Sequence, residues 1–398
     1  MKIINPKKID VVVKYFYPVA AGIETNIMET YTVLVEEGWD VTVHTSRDIL
    51  TKKNCLPEEE TVRGIKIKRY PFRWFGYWPD IVWSNTDLVC LHNFNIVPHF
   101  YLMLWSLILR FRGKKCFALI LTPHGGFNPE WSTFPKFSGF LKRVYHYTVG
   151  TLTINAIVDG VRAVSNWEAK EMVLHGLRPQ LITVIDNGIE DEAYWDVDAK
   201  ASADIKEKVK GFGRYIIQIG RIYGIKNYET TIAALRDTPA DLRFVIAGPV
   251  GDDAYLEQLK RLIQKLGLEE RVIFFGVIRG IDKYYLIKHA GMMVHMAIWE
   301  SFCNVVHEGL SQGLVCIVAN NTALPFLVKD GVNGYCLETR DSAEVAKKIS
   351  FVLENKNTEF IKEMEARNRT YGLENSWRNV SSKMGDWYAR TIENLNHD

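Results

Sequence analysis

Glu300 and Glu308, eight positions apart in the stretch WESFCNVVHEG, are the first residues of this 398-residue chain that invite a chemical reading. Paired carboxylates suggest acid/base work on a glycosidic bond, which needs the two groups roughly 5 to 9.5 Å apart. A helix starting near Phe302 would separate them by about 12 Å along its axis, a span that suits opposite ends of one elongated ligand. The helix start between them would offer backbone N–H groups of Phe302, Cys303 and Asn304 to an anion. A diphosphate with a hydroxylated group at each end has that shape, and a nucleotide sugar is such a molecule.

Other residues fit the same ligand. Ile216-Ile217-Gln218-Ile219-Gly220-Arg221 closes an apolar run with Gly-Arg, and Lys226 follows five residues later. Arginine can fork two phosphate oxygens, while lysine supplies a mobile point charge. His124 comes directly after the run Leu121-Thr122-Pro123 and before two glycines; His92 has a similar address with weaker context. Near the start, Ala20-Ala21-Gly22 feeds a helical pattern whose N-terminus would favour a phosphate. GxGxxG and GxxxxGK[ST] are both missing from the sequence. Asp252-Asp253 forms no DxD metal clamp and reads as a solvated pair.

The elements that would position these residues alternate strand and helix from end to end. Strands are expected at 9–14, 40–45, 87–91, 116–122 and 160–164, with a helix at 25–37. The pattern restarts with strands at 215–219, 242–247, 272–275, 292–295 and 314–318. Such alternation means parallel sheets covered on both faces, and two runs of it mean two doubly wound α/β domains. The expected division is 1–190 and 191–374, with a cleft between the domains, and ligands in such sheets bind beyond the carboxyl ends of the strands.

Composition narrows the class. The length exceeds what one core serves, and 47% hydrophobic with 24% charged residues is ordinary for a globular protein. A net charge of +2 argues against a nucleic-acid partner. The balance is +4 up to residue 190 and −2 after it, which permits an anionic surface partner for the first half. Six cysteines without a CxxC pair point to a reducing, cytoplasmic setting. The opening MKIINPKKIDVVVKYF has too short an apolar run for a signal peptide. The longest hydrophobic stretch, FYLMLWSLILR at 100–110, is too short to span a bilayer; it reads as a buried helix, with an interfacial helix as the alternative.

Taken together, these residues resemble those of retaining glycosyltransferases of family 4, the glycosyl transferases group 1 set, whose GT-B fold has two facing Rossmann-like domains. The most specific element is Glu300 to Glu308, an E-x7-E motif continuing to Gly313-Leu314-Val315-Cys316-Ile317-Val318. Thr122-Pro123-His124-Gly125, Asp186-Asn187-Gly188, Gly220-Arg221 with Lys226, and Asp330-Gly331-Val332-Asn333-Gly334 support it in order and spacing. The resemblance implies that Glu308 accepts hydrogen bonds from ribose hydroxyls and that Glu300, with Ser301 to Asn304 beside it, holds the donor sugar. It implies that Gly220, Arg221, Lys226 and Gly22 serve the diphosphate, that His124 faces the sugar near the reacting carbon, and that Val277 and Ile278 contact the base. Glu300, His124, Arg221 and Lys226 would be the catalytic residues, with no metal and no cofactor required. A closing helix within 375–398 is expected to pack back on the first domain. Ala21 beside Gly22, Asn227 after Lys226, Met296-Ala297 before the motif and Cys303 within it depart from the family's usual residues.

The expected acceptor is a glycan or a lipid-linked molecule. The aromatic and basic run Arg69-Tyr70-Pro71-Phe72-Arg73-Trp74-Phe75-Gly76-Tyr77-Trp78, with residues 127–147, lies in the half that family members use for acceptors. Amphipathic aromatics and cations suit a membrane interface, so peripheral contact of the N-terminal domain with the inner face of the cell membrane is expected. Two other functions fit the same fold: a nucleotide-sugar 2-epimerase, and a non-catalytic sugar-nucleotide or lipid-binding protein.

Overall fold

The computed structural model describes residues 7–19, 22–49, 52–73, 76–94, 98–114 and 116–395. The chain divides into two compact units, Met1–Gly188 with Trp377–Asp398, and Ile189–Ser376.

The first unit is built on eight strands, β1 (Lys8–Val12), β2 (Asp40–Ser46), β3 (Glu59–Val62), β4 (Ile65–Tyr70), β5 (Leu88–His92), β6 (Ala118–Thr122), β7 (Gly160–Ala163) and β8 (Ile182–Val184). Their order is β3-β4-β2-β1-β5-β6-β7-β8, and every pairing is parallel except β3 with β4. β5 and β6 read LVCLH and ALILT and are buried at every position, as strands covered on both faces must be. The hairpin β3–β4 was not expected from sequence. It turns on Arg63-Gly64, both at positive φ, a two-residue loop whose twist matches the flanking strands.

Helices α1 (Gly22–Glu36), α2 (His99–Phe111), α3 (Lys136–Tyr145), α4 (Thr151–Ile157) and α5 (Asn166–Leu174) cover this sheet or flank it. α2 buries His99, Leu102, Met103, Ser106 and Leu109, so the long apolar stretch is a packed helix, with Phe111 exposed at its end. The closing helix Trp377–Leu395 sets Val380, Met384 and Tyr388 among Ile9, Val11, Tyr31 and Leu34 of β1 and α1. The chain lays β2 on one side of β1 and β5 on the other. Crevices in open α/β sheets form at such a reversal, beyond the carboxyl ends of the strands.

The second unit has six parallel strands, β9 (Tyr215–Ile219), β10 (Arg243–Ala247), β11 (Val272–Gly276), β12 (Met293–His295), β13 (Cys316–Ala319) and β14 (Gly334–Leu337), ordered β11-β10-β9-β12-β13-β14. Its reversal lies between β9 and β12. The helices that matter below are α6 (Tyr228–Leu235), α7 (Gly280–Lys288) and α8 (Asn304–Ser311). No helix among the described residues is long and apolar enough to cross a membrane. All six cysteines are free; Cys55 and Cys116 are exposed.

Candidate active site

The cluster at the carboxyl ends of β9 and β12 starts from a glycine. β9 ends at Ile219, and Gly220 turns the chain at φ +156°. A Cβ on Gly248, at the end of β10, would sit 2.1 Å from the Gly220 carbonyl oxygen, so only glycine lets the two strand ends approach. The Tyr228 hydroxyl of α6 donates to that carbonyl at 2.8 Å. Arg221 then projects outward, exposed. Its stem packs over Gly251, and its guanidinium makes no salt bridge among the described residues.

Lys226 ends a short turn, Gly224–Lys226, and is fixed from both sides. Gln218 of β9 donates to its carbonyl at 2.8 Å. Asn227, buried at φ +50°, donates through Nδ2 to the carbonyls of Met296 and Thr339, both at 2.7 Å. Asparagine is among the few residues that tolerate this left-handed conformation, which gives the departure at position 227 its physical reason.

The Lys226 ammonium donates to Glu300 Oε1. The same oxygen accepts from His295 Nε2 at 2.8 Å, and the Glu300 backbone N–H donates to Thr322 Oγ1 at 3.0 Å. Burial alone would raise the Glu300 carboxyl, but Lys226 and then His295 hold it at about 2. For Lys226 burial works against the charge and Glu300 overcomes it, so the ammonium is held above its ordinary value. His295 is pushed down, chiefly by burial, and stays a neutral donor. His295, Glu300 and Cys303 bring ligand-type atoms within 4.8 Å of one another, with Lys226 as the cation at that carboxylate.

The structure corrects the geometry expected for the two glutamates. α8 begins at Asn304, not near Phe302, because Cys303 takes a left-handed conformation, φ 83° and ψ 73°, that breaks the helix. Glu300 therefore lies outside the helix, and an axial rise does not set its distance from Glu308. Val306 and His307 N–H groups return to the Cys303 carbonyl, and Phe302 is buried with its ring 5.6 Å from that of His307.

Glu308, buried on α8, has its own cation. Lys283 Nζ of α7 lies 3.0 Å from Glu308 Oε1 and 2.7 Å from Glu190 Oε2. Glu308 Oε2 is buried without a partner. Burial, with the Glu190 charge assisting and Lys283 opposing, raises the Glu308 carboxyl to about 7. Val277 and Ile278 follow β11 at the sheet edge, Val277 exposed. The Asp252 carboxylate accepts from the N–H groups of Ala254 and Tyr255 and caps the helix Asp253–Leu266.

In the first unit Gly22 opens α1, exposed, and a Cβ there would meet nothing within 4 Å. Ala20 and Ala21 lie outside the described residues, as do Trp74, Phe75 and Lys115. His124 follows β6 at φ +53°. The loop is pinned by Glu168, whose carboxylate accepts from the N–H groups of Gly125 and Val164. His124 Nε2 lies 2.8 Å from His92 Nδ1, His92 Nε2 lies 2.9 Å from the Tyr31 hydroxyl, and that hydroxyl lies 3.1 Å from Tyr388 on the closing helix. Burial, then the Arg162 charge, lowers His124 to about 3, and burial, then the His124 charge, lowers His92 well below its ordinary value. The 2.8 Å contact needs one ring nitrogen with a proton and one without, which two neutral rings supply.

The aromatic run at 69–78 divides. Arg69 is buried against Glu60 and the Tyr17 carbonyl, and Tyr77 belongs to the core. Tyr70, Arg73, Tyr77, exposed Trp78 and Tyr101 line a surface cavity of about 680 Å³.

Comparison with known proteins closes the question of family. Residues 201–371 match the family described as glycosyl transferases group 1, and residues 20–193 match glycosyltransferase family 4. The chain belongs to the group 1, family 4 glycosyltransferases. D-inositol 3-phosphate glycosyltransferase of Mycobacterium tuberculosis is 25% identical over 256 residues, 63% of this chain and 52% of that protein. The chain spans about half the length of the curated relatives it matches. Among solved structures, HepE of Anabaena in complex with UDP and glucose is similar at TM-score 0.73 and 18% identity, covering 96% of this chain and 100% of that one. A glycosyltransferase from Rickettsia africae is similar at TM-score 0.75 and 18% identity, covering 98% and 100%. The shared fold is GT-B.

Sequence reasoning brought Glu300, Lys226 and Cys303 into view together, and these are adjacent. It missed His295, Lys283, Glu190, Glu168 and the two tyrosines behind His92. His295 had a signal, since it ends a strand as His92 does. Lys283, inside an ordinary amphipathic pattern, had none.

Proposed function

We propose that the protein transfers a hexose-type sugar from a nucleotide-diphosphate sugar, with UDP as the nucleotide, to a glycan or lipid-linked acceptor. The observation that carries this reading is the pair of differently held carboxylates, one just after β12 and one on the helix α8 that follows it. Glu300 is ionised against Lys226 and His295, and Glu308 keeps one buried oxygen unpartnered. An unsatisfied buried acceptor is costly, and ribose hydroxyls would satisfy it. HepE, similar in fold, is known in complex with UDP and with UDP-glucose.

In this reading exposed Arg221 and the Lys226 ammonium receive the diphosphate, and Glu300 takes sugar hydroxyls in exchange for Lys226. Fixed cations stabilise the charge that grows as the anomeric carbon–oxygen bond breaks, so no metal is needed. The acceptor oxygen attacks from the leaving-group side as the bond to the diphosphate breaks, its proton passing to the departing diphosphate oxygen, giving retention. His124, neutral, offers the sugar a hydrogen bond and not a charge. The cavity around Trp78 and Tyr101 supplies the aromatic faces on which an acceptor sugar can stack, and a lipid-linked acceptor would bring the first unit to a membrane. The test is incubation with UDP-sugars in EDTA, with and without a panel of glycan acceptors, reading UDP release and the product's anomeric configuration. Metal-free UDP release stimulated by an acceptor supports the reading. Epimerised sugar without transfer, or UDP binding without turnover on any acceptor, contradicts it.

A further inference from the structure

Helix α3 carries its apolar face outward. Phe137, Phe140, Leu141 and Val144 occupy positions i, i+3, i+4 and i+7, one face of a helix, and are 76%, 63%, 51% and 46% exposed. A surface helix of a folded domain ordinarily turns such a stripe to the core. Here Gly139 is the buried residue of α3. The exposed apolar side chains continue past the helix with Val149 and Leu152.

The charged side chains of the helix itself have one sign, and the one acidic neighbour at its start, Glu130, is taken up in capping the turn Trp131–Thr133. Lys136, Lys142 and Arg143 belong to the helix, and residues 131–157 contain no Asp or Glu. Lys142 Nζ sits 4.4 Å from the Phe134 ring centre, and the Arg143 guanidinium 5.8 Å from that of Trp131. An exposed apolar patch of this kind marks a partner surface. A short amphipathic helix with cations beside bulky apolar side chains fits the boundary between lipid headgroups and acyl chains.

We propose that α3 docks the protein on an anionic lipid bilayer, Phe137, Phe140, Leu141 and Val144 entering the headgroup boundary and Lys136, Lys142 and Arg143 meeting lipid phosphates. Charge selects this occupant over a second copy of the chain, because two such faces would bring like charges together. The inference deepens the membrane part of the function proposed above and does not depend on the donor chemistry.

Co-sedimentation of the full chain with vesicles of phosphatidylglycerol in phosphatidylcholine, and of phosphatidylcholine alone, tests it across a salt series. The parent should bind the anionic vesicles at low salt and lose them as salt rises. Phe137→Ser with Phe140→Ser should weaken that binding by about tenfold or more for each phenylalanine. Lys142→Glu with Arg143→Glu should abolish the preference for anionic lipid. Both double variants should keep the parent's thermal unfolding and its UDP binding, read separately by calorimetry, so a failed donor reading is not confused with a failed docking surface. A parent that ignores anionic vesicles at low salt overturns the proposal, as do variants that bind like the parent. Self-association through these side chains in place of vesicle binding also overturns it and gives the face to a second copy.

Discussion

Glu308→Gln should make the protein more stable and a poorer nucleotide binder at once. Glu190 and Glu308 share one ammonium, Lys283 Nζ, at 2.7 and 3.0 Å, so the group carries a net charge of −1 in a largely buried setting. Burial lifts Glu308 from its ordinary 4.5 to about 7. For an acid raised in the folded state, the cost of ionisation is absent below pH 4.5, grows across the interval and is complete above about pH 7. That rise is worth about 3 kcal/mol, at about 1.4 kcal/mol per pH unit. Glutamine keeps the shape and an acceptor for Lys283 while leaving one carboxylate per ammonium. The variant should match the parent near pH 4.5 and exceed it by about 1 to 3 kcal/mol at pH 8, measured from urea midpoints at unchanged slope. In the proposed reading the ribose hydroxyls then lose a charged acceptor, which should cost about tenfold or more in UDP affinity. A stability difference that does not grow between pH 4.5 and pH 8, or a variant less stable than its parent at pH 8, would refute the reasoning.

Lys226→Ala leaves the Glu300 carboxylate buried with His295 alone and should cost about 3 kcal/mol. Because Glu300 is depressed to about 2, the contribution lost in the variant is complete above pH 4.5 in the parent and fades as the pH falls toward 2; the gap between parent and variant in urea midpoints should be widest near neutral pH and narrow below pH 4.5. Asn227→Gly keeps φ +50° accessible but leaves the Met296 and Thr339 carbonyls without their donor, for about 2 kcal/mol; Asn227→Ala adds left-handed strain of about 1 kcal/mol, and thermal unfolding should rank them in that order. In the proposed reaction His92, 2.8 Å from His124, positions that ring for the sugar, so His92→Leu should lower kcat for sugar transfer by about tenfold or more with UDP affinity unchanged, whereas a merely structural role would lower both together.

The two doubly wound sheets were legible because β5, β6, β9 and β10 are unbroken apolar runs between helical patterns. The hairpin β3–β4 was passed over although Ile65-Lys66-Ile67-Lys68 alternates in the way a half-buried strand does. Its last residues, Arg69 and Tyr70, run on into the aromatic stretch that follows, which hides the strand's end. The helix start after Glu300 was misplaced by two residues, since nothing in Phe302-Cys303-Asn304 announces that a cysteine will take φ 83°. Contacts between distant segments were least visible. Lys283 meets Glu308 across α7 and α8, and Tyr388 meets Tyr31 from 357 positions away. Sequence spacing carries no record of either.

Titration of UDP into the protein in EDTA, alongside GDP and ADP, tests the central claim most directly. The account expects UDP to bind without metal and to lose about tenfold or more in affinity in both Glu308→Ala and Arg221→Ala. UDP binding that requires a divalent cation, or that both variants retain at parental strength, would contradict it.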